Sequence, residues 1–374
     1  MKKVLVWETS ESVFGGQKMT LTIMDLLKED YEFCCLIPES GKMAQELEER
    51  EIPYILIGDQ TLPTGVKGIG AYFRYAWISA RSILRSLKEI FRFRPDILYA
   101  PGPAALPWSA VCGALTHRPV IWHLHHVFLD RSTQKLLNYF AKWQAVQKII
   151  AVSNSVGAQI KNSADSKVEV LYNPVDFQKY SDGDEKKSRK EFGAFTEGKF
   201  VVGQIALIQR SKKQDVTLRT LSELRRRGVD AVGIFLGECR DPEFKWEIDR
   251  IIQNLNLEKN VLFAGRRADV PDVLKVIDIL LIPSFEGFPL VGLEAAAAGV
   301  PIVACDIAGA KEFIEVSGGG RLFPEDDYSA AVDEILAVWR DAEIYRSKGK
   351  VFAKCKSPQI YAAQIKEVFG QIRE

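Results

Sequence analysis

Two glutamates eight residues apart stand in an otherwise uncharged run, PSFEGFPLVGLEAAAAGVP, from Pro283 to Pro301. The run reads as the end of a buried strand (278–282), a turn, and a helix starting near Pro289, where the missing proline N–H is no loss. Glu286 then falls on the turn, and Glu294 lies about one and a half turns into the helix. The N–H groups at the helix start, around Phe288–Val291, would point into the cleft and form an anion site suited to a diphosphate. Glu294 can accept hydrogen bonds from two neighbouring hydroxyls, as a ribose presents, and Glu286 can do the same for a sugar. Two glutamates at this spacing are otherwise ordinary surface charge. Their setting in an apolar strand–turn–helix run is what points to chemistry.

Three further groups have residue types suited to the same kind of ligand. A strand ending near Ile205 leads into a basic loop with Arg210, Lys212 and Lys213, which could face a phosphate or simply be solvated. Gly15-Gly16 follows the first strand and opens a helix, so backbone could approach a ligand closely there. It is not a GxGxxG fingerprint, and a nicotinamide-dependent dehydrogenase loses its main support. In Trp122-His-Leu-His-His126, alternation puts His123 and His125 on one strand face, with His126 just beyond. Packing or a ligand could explain either. The histidines lack a carboxylate or cysteine at metal-binding spacing. Asp182-Gly-Asp184 has the look of a metal motif but sits in a lysine-rich polar stretch, where a turn is the plainer reading.

The elements that must position these groups alternate along the whole chain. Short apolar strands are expected at 4–7, 31–37, 54–57, 96–99, 120–124, 148–152 and 168–171, with helices between them, including a long one at 69–92. The alternation restarts with strands near 199–206, 231–236, 260–264, 278–282, 301–304 and 320–323. This pattern implies parallel sheets covered by helices on both faces. Ligands then bind beyond the carboxyl ends of the strands, where all the groups above fall. Residues 178–191 are polar and nearly devoid of large apolar side chains, so they read as an interdomain linker. Expected domains are therefore 1–178 and 191–356, with a C-terminal helix in 357–374 that could pack on either.

The length of 374 residues agrees with two such domains. Hydrophobic residues at 47% and charged residues at 26% exclude a disordered or fibrous chain. A net charge of +1 argues against nucleic acid held by bulk charge. The balance is local, however: residues 1–60 carry a net −6 and residues 61–180 a net +9. The helix at 69–92 carries Arg74, Arg81, Arg85, Lys88 and Arg92 beside Tyr72, Phe73, Trp77, Leu84, Leu87 and Phe91. It could be an ordinary amphipathic helix or one that lies on anionic lipid, and the positive excess favours lipid. Six cysteines without a CxxC pair read as reduced thiols of a cytosolic protein. Lys2 and Lys3 precede too short an apolar stretch for a secretory signal. The uncharged run 97–116 contains three prolines and two glycines, which suits a strand, a loop and a helix start better than a membrane span.

The glutamate pair in its context resembles the Glu-x7-Glu motif of retaining nucleotide-sugar glycosyltransferases of family 4, whose GT-B fold has two facing Rossmann-like domains. The resemblance extends over essentially the whole chain. Asn260–Val270 resembles the family's strand and loop near the nucleotide base, which brings in Arg266. Val303–Glu312 resembles the next strand and loop, Asn173–Asp176 the segment closing the first domain, and Ala151–Asn154 the start of the preceding helix. The family has an Arg and a Lys on the diphosphate; Lys212 matches the Lys, but Leu207 stands at the Arg position, so Arg210 is the candidate substitute.

The resemblance implies donor binding by Gly16, Arg210, Lys212, Arg266, Glu286, Gly287, Phe288, Pro289, Leu290, Val291 and Glu294. It implies catalytic roles for Glu286, His125 and Lys212. The acceptor would sit on the first domain, and domain closure would bring His125 and the Gly16 loop to the sugar. The expected reaction is transfer, with retention, from a nucleotide-diphosphate sugar, a UDP-linked one being commonest in such families. The acceptor would be a glycan or lipid-linked hydroxyl in cell-surface polysaccharide or glycolipid biosynthesis. Neither metal nor other cofactor is expected. The protein is expected to be cytoplasmic, and the basic helix at 69–92, not the resemblance, is what would bring it into peripheral contact with the inner face of the membrane. A nucleotide-sugar epimerase of the same shape and a non-catalytic nucleotide-sugar-binding protein remain the alternatives.

Overall fold

A computed structural model of the chain describes residues 1–58 and 69–373. The polypeptide forms two compact units, Met1–Asn173 with Gln359–Glu374, and Pro174–Pro358. In the first, seven strands form one sheet: β1 (Lys2–Trp7), β2 (Tyr31–Ile37), β3 (Tyr54–Leu56), β4 (Ile97–Ala100), β5 (Val120–Leu124), β6 (Val146–Ala151) and β7 (Val168–Val170). Their spatial order is β3-β2-β1-β4-β5-β6-β7. The second unit has β8 (Phe200–Ile205), β9 (Ala231–Leu236), β10 (Val261–Gly265), β11 (Ile279–Ile282), β12 (Ile302–Cys305) and β13 (Gly320–Phe323) in the order β10-β9-β8-β11-β12-β13. Pairing is parallel throughout the named strands. Both sheets are therefore of the doubly wound, Rossmann-like kind.

The sequence produces these sheets because its strands are apolar on both faces. Val4, Leu5, Val6 and Trp7 are all fully buried, as are Ile302, Val303, Ala304 and Cys305. A strand covered by helices on both sides has no solvent face to mark with polar residues. Buried indoles need a partner for their N–H. Trp7 donates to Ser86 at 2.9 Å, Trp108 to Ser79 at 2.8 Å and Trp122 to Ser109 at 3.1 Å. Two of those serines lie on the inner face of the Ile69–Phe93 helix: Ser86 ties it to β1 through Trp7, and Ser79 ties it to the helix Ala105–Thr116 through Trp108.

Residues 178–191, expected as a linker, are instead part of the second unit. Asp176 caps a helix over Phe177–Ser181, accepting from the Lys179 N–H at 3.0 Å. Asp184 caps a second over Glu185–Thr196, accepting from the Lys187 N–H at 3.0 Å. Few apolar side chains are needed to anchor so short a pair: Phe192 and Thr196 are buried, and Tyr180 reaches Glu294. The Asp182-Gly-Asp184 stretch is the turn between the two helices, and its second aspartate is a helix cap.

The chain ends by returning to the first unit. In the helix Pro358–Gly370, Tyr361, Ile365, Val368 and Phe369 are buried. The Phe369 ring lies 5.4 Å from that of Tyr31 and 5.7 Å from that of Tyr99. Beyond the helix, the Arg373 carbonyl accepts from Gln147 at 2.8 Å. Among the described residues no helix is long and apolar enough to cross a membrane.

Candidate active site

In each sheet the strand order reverses at one point, between β1 and β4 in the first unit and between β8 and β11 in the second. Helices leave to opposite faces there, so the loops at the carboxyl ends diverge and leave a crevice. In the second unit the loop after β8 carries Lys212, and the loop after β11 carries Glu286. The topology thus brings together residues 74 positions apart. The Lys212 ammonium donates to Glu286 Oε1 at 2.7 Å. Ser284, two residues earlier, donates its hydroxyl to the same oxygen at 2.7 Å. Lys212 and Glu286 keep only 23% and 20% of their side-chain surface in solvent, so the pair is largely shielded yet reachable.

The backbone around Glu286 is fixed from behind. Its carbonyl accepts from the Gly309 N–H at 3.0 Å, at the start of the helix after β12. A Cβ at Gly309 would lie 1.7 Å from the Gly287 carbonyl oxygen, so glycine is required for that close approach. The helix after the turn runs from Leu290 to Ala298, one residue later than the sequence suggests. Pro289 is its cap rather than its first residue. The amides of its first turn point out of the helix end toward the crevice side of the sheet. Such amides carry partial positive charge and favour an anion. Glu294, in the second turn, accepts from the Tyr180 hydroxyl at 2.7 Å. Burial, then the Glu294 carboxylate, pushes the Tyr180 phenol well above its usual range, so this proton stays on tyrosine.

The two arginines of the sequence reading are engaged elsewhere. Arg210 forms a two-pronged pair with Glu247, at 2.5 and 2.9 Å, and lies over the Phe244 ring. Arg266 is half-exposed, 3.9 Å from Glu238. Lys213, next to Lys212, is held by Glu325 and Asp326. The structure joins Lys212 to Glu286 but brings neither Arg210 nor Arg266 to that pair.

In the first unit the loop after β1, at the switch point, holds Gly16, and the loop after β5, the strand beyond β4, holds His125. A Cβ on Gly16 would stand 3.8 Å from the His125 ring, so the glycine loop lies against the imidazole. His125 Nε2 is buried and has no hydrogen-bond partner. Desolvation, reinforced by His123 and His126, holds its pKa well below the usual range, so the ring is neutral at physiological pH. The His123 ring lies 4.1 Å from it, tilted by 36°, and is itself tied through Nδ1 to the Tyr99 hydroxyl at 2.6 Å. A neutral imidazole packed in this way can hydrogen-bond a hydroxyl without adding charge.

Glu8, at the end of β1, was not anticipated from sequence. It is buried and accepts from Gln17 at 3.0 Å and Thr20 at 2.8 Å, both on the helix that begins at Gly15. It therefore anchors the glycine loop from beneath. Burial raises its pKa from 4.5 to about 7, against the lowering effect of those two hydrogen bonds. A folded-state pKa above the unfolded one means that the folded protein binds the proton more tightly. The stabilisation is complete below about pH 4.5 and is lost as pH rises through about 7. The wild-type protein is expected to lose roughly 2–3 kcal/mol between pH 5 and 8 from this group, at 1.36 kcal/mol per pKa unit. Urea unfolding at several pH values would show this as a falling midpoint, flattened in Glu8→Gln. Equal slopes in the two proteins would contradict it.

Sequence comparison bears on what this arrangement belongs to. The model of Glycosyltransferase Family 4 matches residues 15–179, and that of Glycosyl transferases group 1 matches residues 199–341. The chain belongs to the family 4 glycosyltransferases. Its two parallel-sheet units have the architecture of the GT-B fold that this family uses. Among curated relatives of this family 4 chain is an N-acetyl-alpha-D-glucosaminyl L-malate synthase of Bacillus anthracis, 27% identical over 59% of the chain and 57% of the relative. Another is a UDP-Gal:alpha-D-GlcNAc-diphosphoundecaprenol alpha-1,3-galactosyltransferase of Escherichia coli, 22% identical over 87% of the chain and 85% of the relative. The chain thus spans a little over half the length of the first and most of the second. Among solved structures, Anabaena Alr3699/HepE in complex with UDP and glucose superposes with a TM-score of 0.83 at 22% identity, covering 100% of both chains. Sucrose-phosphate synthase of Thermosynechococcus elongatus does so at 0.80 and 12% identity, over 99% of both chains. These likenesses concern the fold.

Proposed function

We propose that this family 4 chain transfers a sugar from a UDP-linked donor to a hydroxyl of a glycan or lipid-linked acceptor, with retention, in cell-surface polysaccharide or glycolipid biosynthesis. The observation that carries the reading is the Lys212 ammonium seated on Glu286 at the switch point of the second sheet, beside the start of the Leu290–Ala298 helix. The donor's diphosphate takes the helix amides and Lys212, Glu294 takes the ribose hydroxyls, and Glu286 takes sugar hydroxyls. The bond between the anomeric carbon and the phosphate oxygen breaks, and negative charge grows on the departing UDP. Pre-aimed amides and an ammonium act most strongly on such developing charge. The acceptor oxygen bonds to the anomeric carbon on the same face, and its proton passes to the leaving phosphate. No protein base is then required, and no metal either, since Lys212 and the amides supply the positive charge. In the first unit, the neutral His125 and the Gly16 loop offer uncharged hydrogen-bonding groups for hydroxyls of the ligand bound there.

The preference for UDP rests on relatives: the Escherichia coli enzyme is named for UDP-galactose, and the Anabaena structure holds UDP. Thermal unfolding in the presence of each nucleoside diphosphate tests the reading directly. A ligand at 100 times its Kd stabilises by about 2.7 kcal/mol. In a domain of 150–250 residues each kcal/mol raises Tm by about 2–4 °C. UDP is expected to give such a rise, with EDTA making no difference. The absence of a shift with every nucleoside diphosphate would remove the donor-site assignment.

A further inference from the structure

On the Ile69–Phe93 helix, Trp77, Leu84 and Phe91 are 71%, 69% and 68% exposed. They are seven residues apart, so each falls only about 20° from the last and the three form one strip along the axis. Beside that strip, at about 100° per residue, run Lys88, Arg81, Arg74, Arg92 and Arg85, all exposed. Next round the helix comes the buried side, with Ile78, Ser82, Ser86, Glu89 and Ile90. The inner face is held by the tryptophan–serine bonds, Ser86 to Trp7 of the sheet and Ser79 to Trp108 of the neighbouring helix Ala105–Thr116, so the outer face has a fixed orientation. The side chains of Tyr72 and Phe73 lie outside the described residues.

A cavity of about 490 Å³ opens at the basic strip. One wall is apolar, from Ile55, Leu56 and Ile57 at the end of β3; the other carries Arg81, Arg85 and Lys88. Arg85 is positioned by donating to the Ile57 carbonyl. Gly58, with φ +82°, lets both guanidiniums close in: a Cβ there would lie 2.3 Å from Arg85 Nη1 and 3.0 Å from Arg81 Nη2. The carboxylates at the cavity are the exposed Glu39 and the buried Glu89, the latter 3.7 Å from Arg92.

We propose that the outer face of this helix docks on an anionic bilayer, with a phosphorylated lipid headgroup seated beside Arg81, Arg85 and Lys88. The order cavity, basic strip, apolar strip matches the depth profile of a membrane surface, with phosphates at the basic level and acyl chains against Trp77, Leu84 and Phe91. Charge complementarity selects the occupant. Five cations and one buried carboxylate on the helix suit an anionic surface and repel a second copy of the same face. The site stands on the first unit alone and does not depend on the donor-site reading.

The test is co-sedimentation of the full chain with vesicles of phosphatidylcholine alone, or with phosphatidylglycerol added, at low and high salt. Wild type is expected to pellet with the anionic vesicles and to be released by salt. Arg81→Gln/Arg85→Gln/Lys88→Gln should weaken this on the order of 100-fold, as each cation near an anionic surface contributes roughly fivefold. Trp77→Ser/Leu84→Ser/Phe91→Ser should weaken it comparably at low salt. Arg81→Gln/Lys88→Gln, which leaves the Arg85–Ile57 contact in place, guards against misfolding of the triple variant. The UDP-induced thermal shift of every variant reads the donor site separately and should match wild type. Negligible binding of wild type, equal binding to neutral vesicles, or variants that pellet like wild type would overturn the proposal. So would protection by inorganic phosphate without vesicle binding, or self-association of wild type that the serine variant abolishes.

Discussion

Glu286→Ala is expected to abolish sugar transfer, with kcat lowered by about 10³-fold or more and the fold intact. The side chain is the acceptor on which both Lys212 and Ser284 converge, each at 2.7 Å from one oxygen. Its removal frees the ammonium to follow solvent and leaves the Ser284 hydroxyl without that partner. The backbone is a separate matter: the Gly309 N–H holds the Glu286 carbonyl whatever the side chain is. The turn and the helix after it therefore persist, and UDP should still raise the melting temperature of the variant. Turnover is read as UDP release in the presence of acceptor. Wild-type turnover in Glu286→Ala would take this residue out of the reaction and with it the placement of the sugar.

How far the sequence foretold this arrangement depends on what kind of contact is involved. The strand Val120–Leu124 falls where its apolar run lies, because a strand buried on both faces is marked along its whole length, and Tyr31–Ile37 is marked by its buried stretch from Phe33 to Ile37. Glu286 and Lys212 were legible through local context, each on a loop after such a strand. Tyr180 was not, because a hydroxyl that reaches Glu294 across 114 positions leaves no local trace. The one aromatic in a polar stretch was the available signal, and the linker reading overrode it. Composition misled there: acidic caps and two or three anchors suffice for helices of five and twelve residues. Arg210 shows the converse limit. Sequence placed it on the right loop, but side-chain direction was decided by Glu247 and Phe244, on the helix that follows β9. The Tyr99–His123 bond likewise depends on strand order, which brings β4 and β5 side by side.

That engagement of Arg210 sharpens the last expectation. With Leu207 where the family has an arginine and Arg210 paired to Glu247, Lys212 is the side-chain cation positioned at Glu286. Lys212→Met preserves length and apolar bulk while deleting the charge. It should lower kcat by about 10²–10³-fold, the usual effect of removing one group that stabilises transition-state charge. KM for the donor should change much less, because the helix amides still hold the diphosphate in the ground state, where the charge has not yet built up. Stability should fall by only about 1 kcal/mol, since Glu286 keeps the Ser284 hydroxyl and is partly solvated. Arg210→Ala is the control and should cost no more than a few-fold in kcat, consistent with an exposed surface pair. If Arg210→Ala proved as damaging as Lys212→Met, the arginine would have to leave Glu247 when the donor binds, and the leaving-group charge would be shared between the two. If Lys212→Met raised KM alone, the lysine would bind the donor equally in ground and transition states, and catalysis would rest on the amides of the Leu290–Ala298 helix.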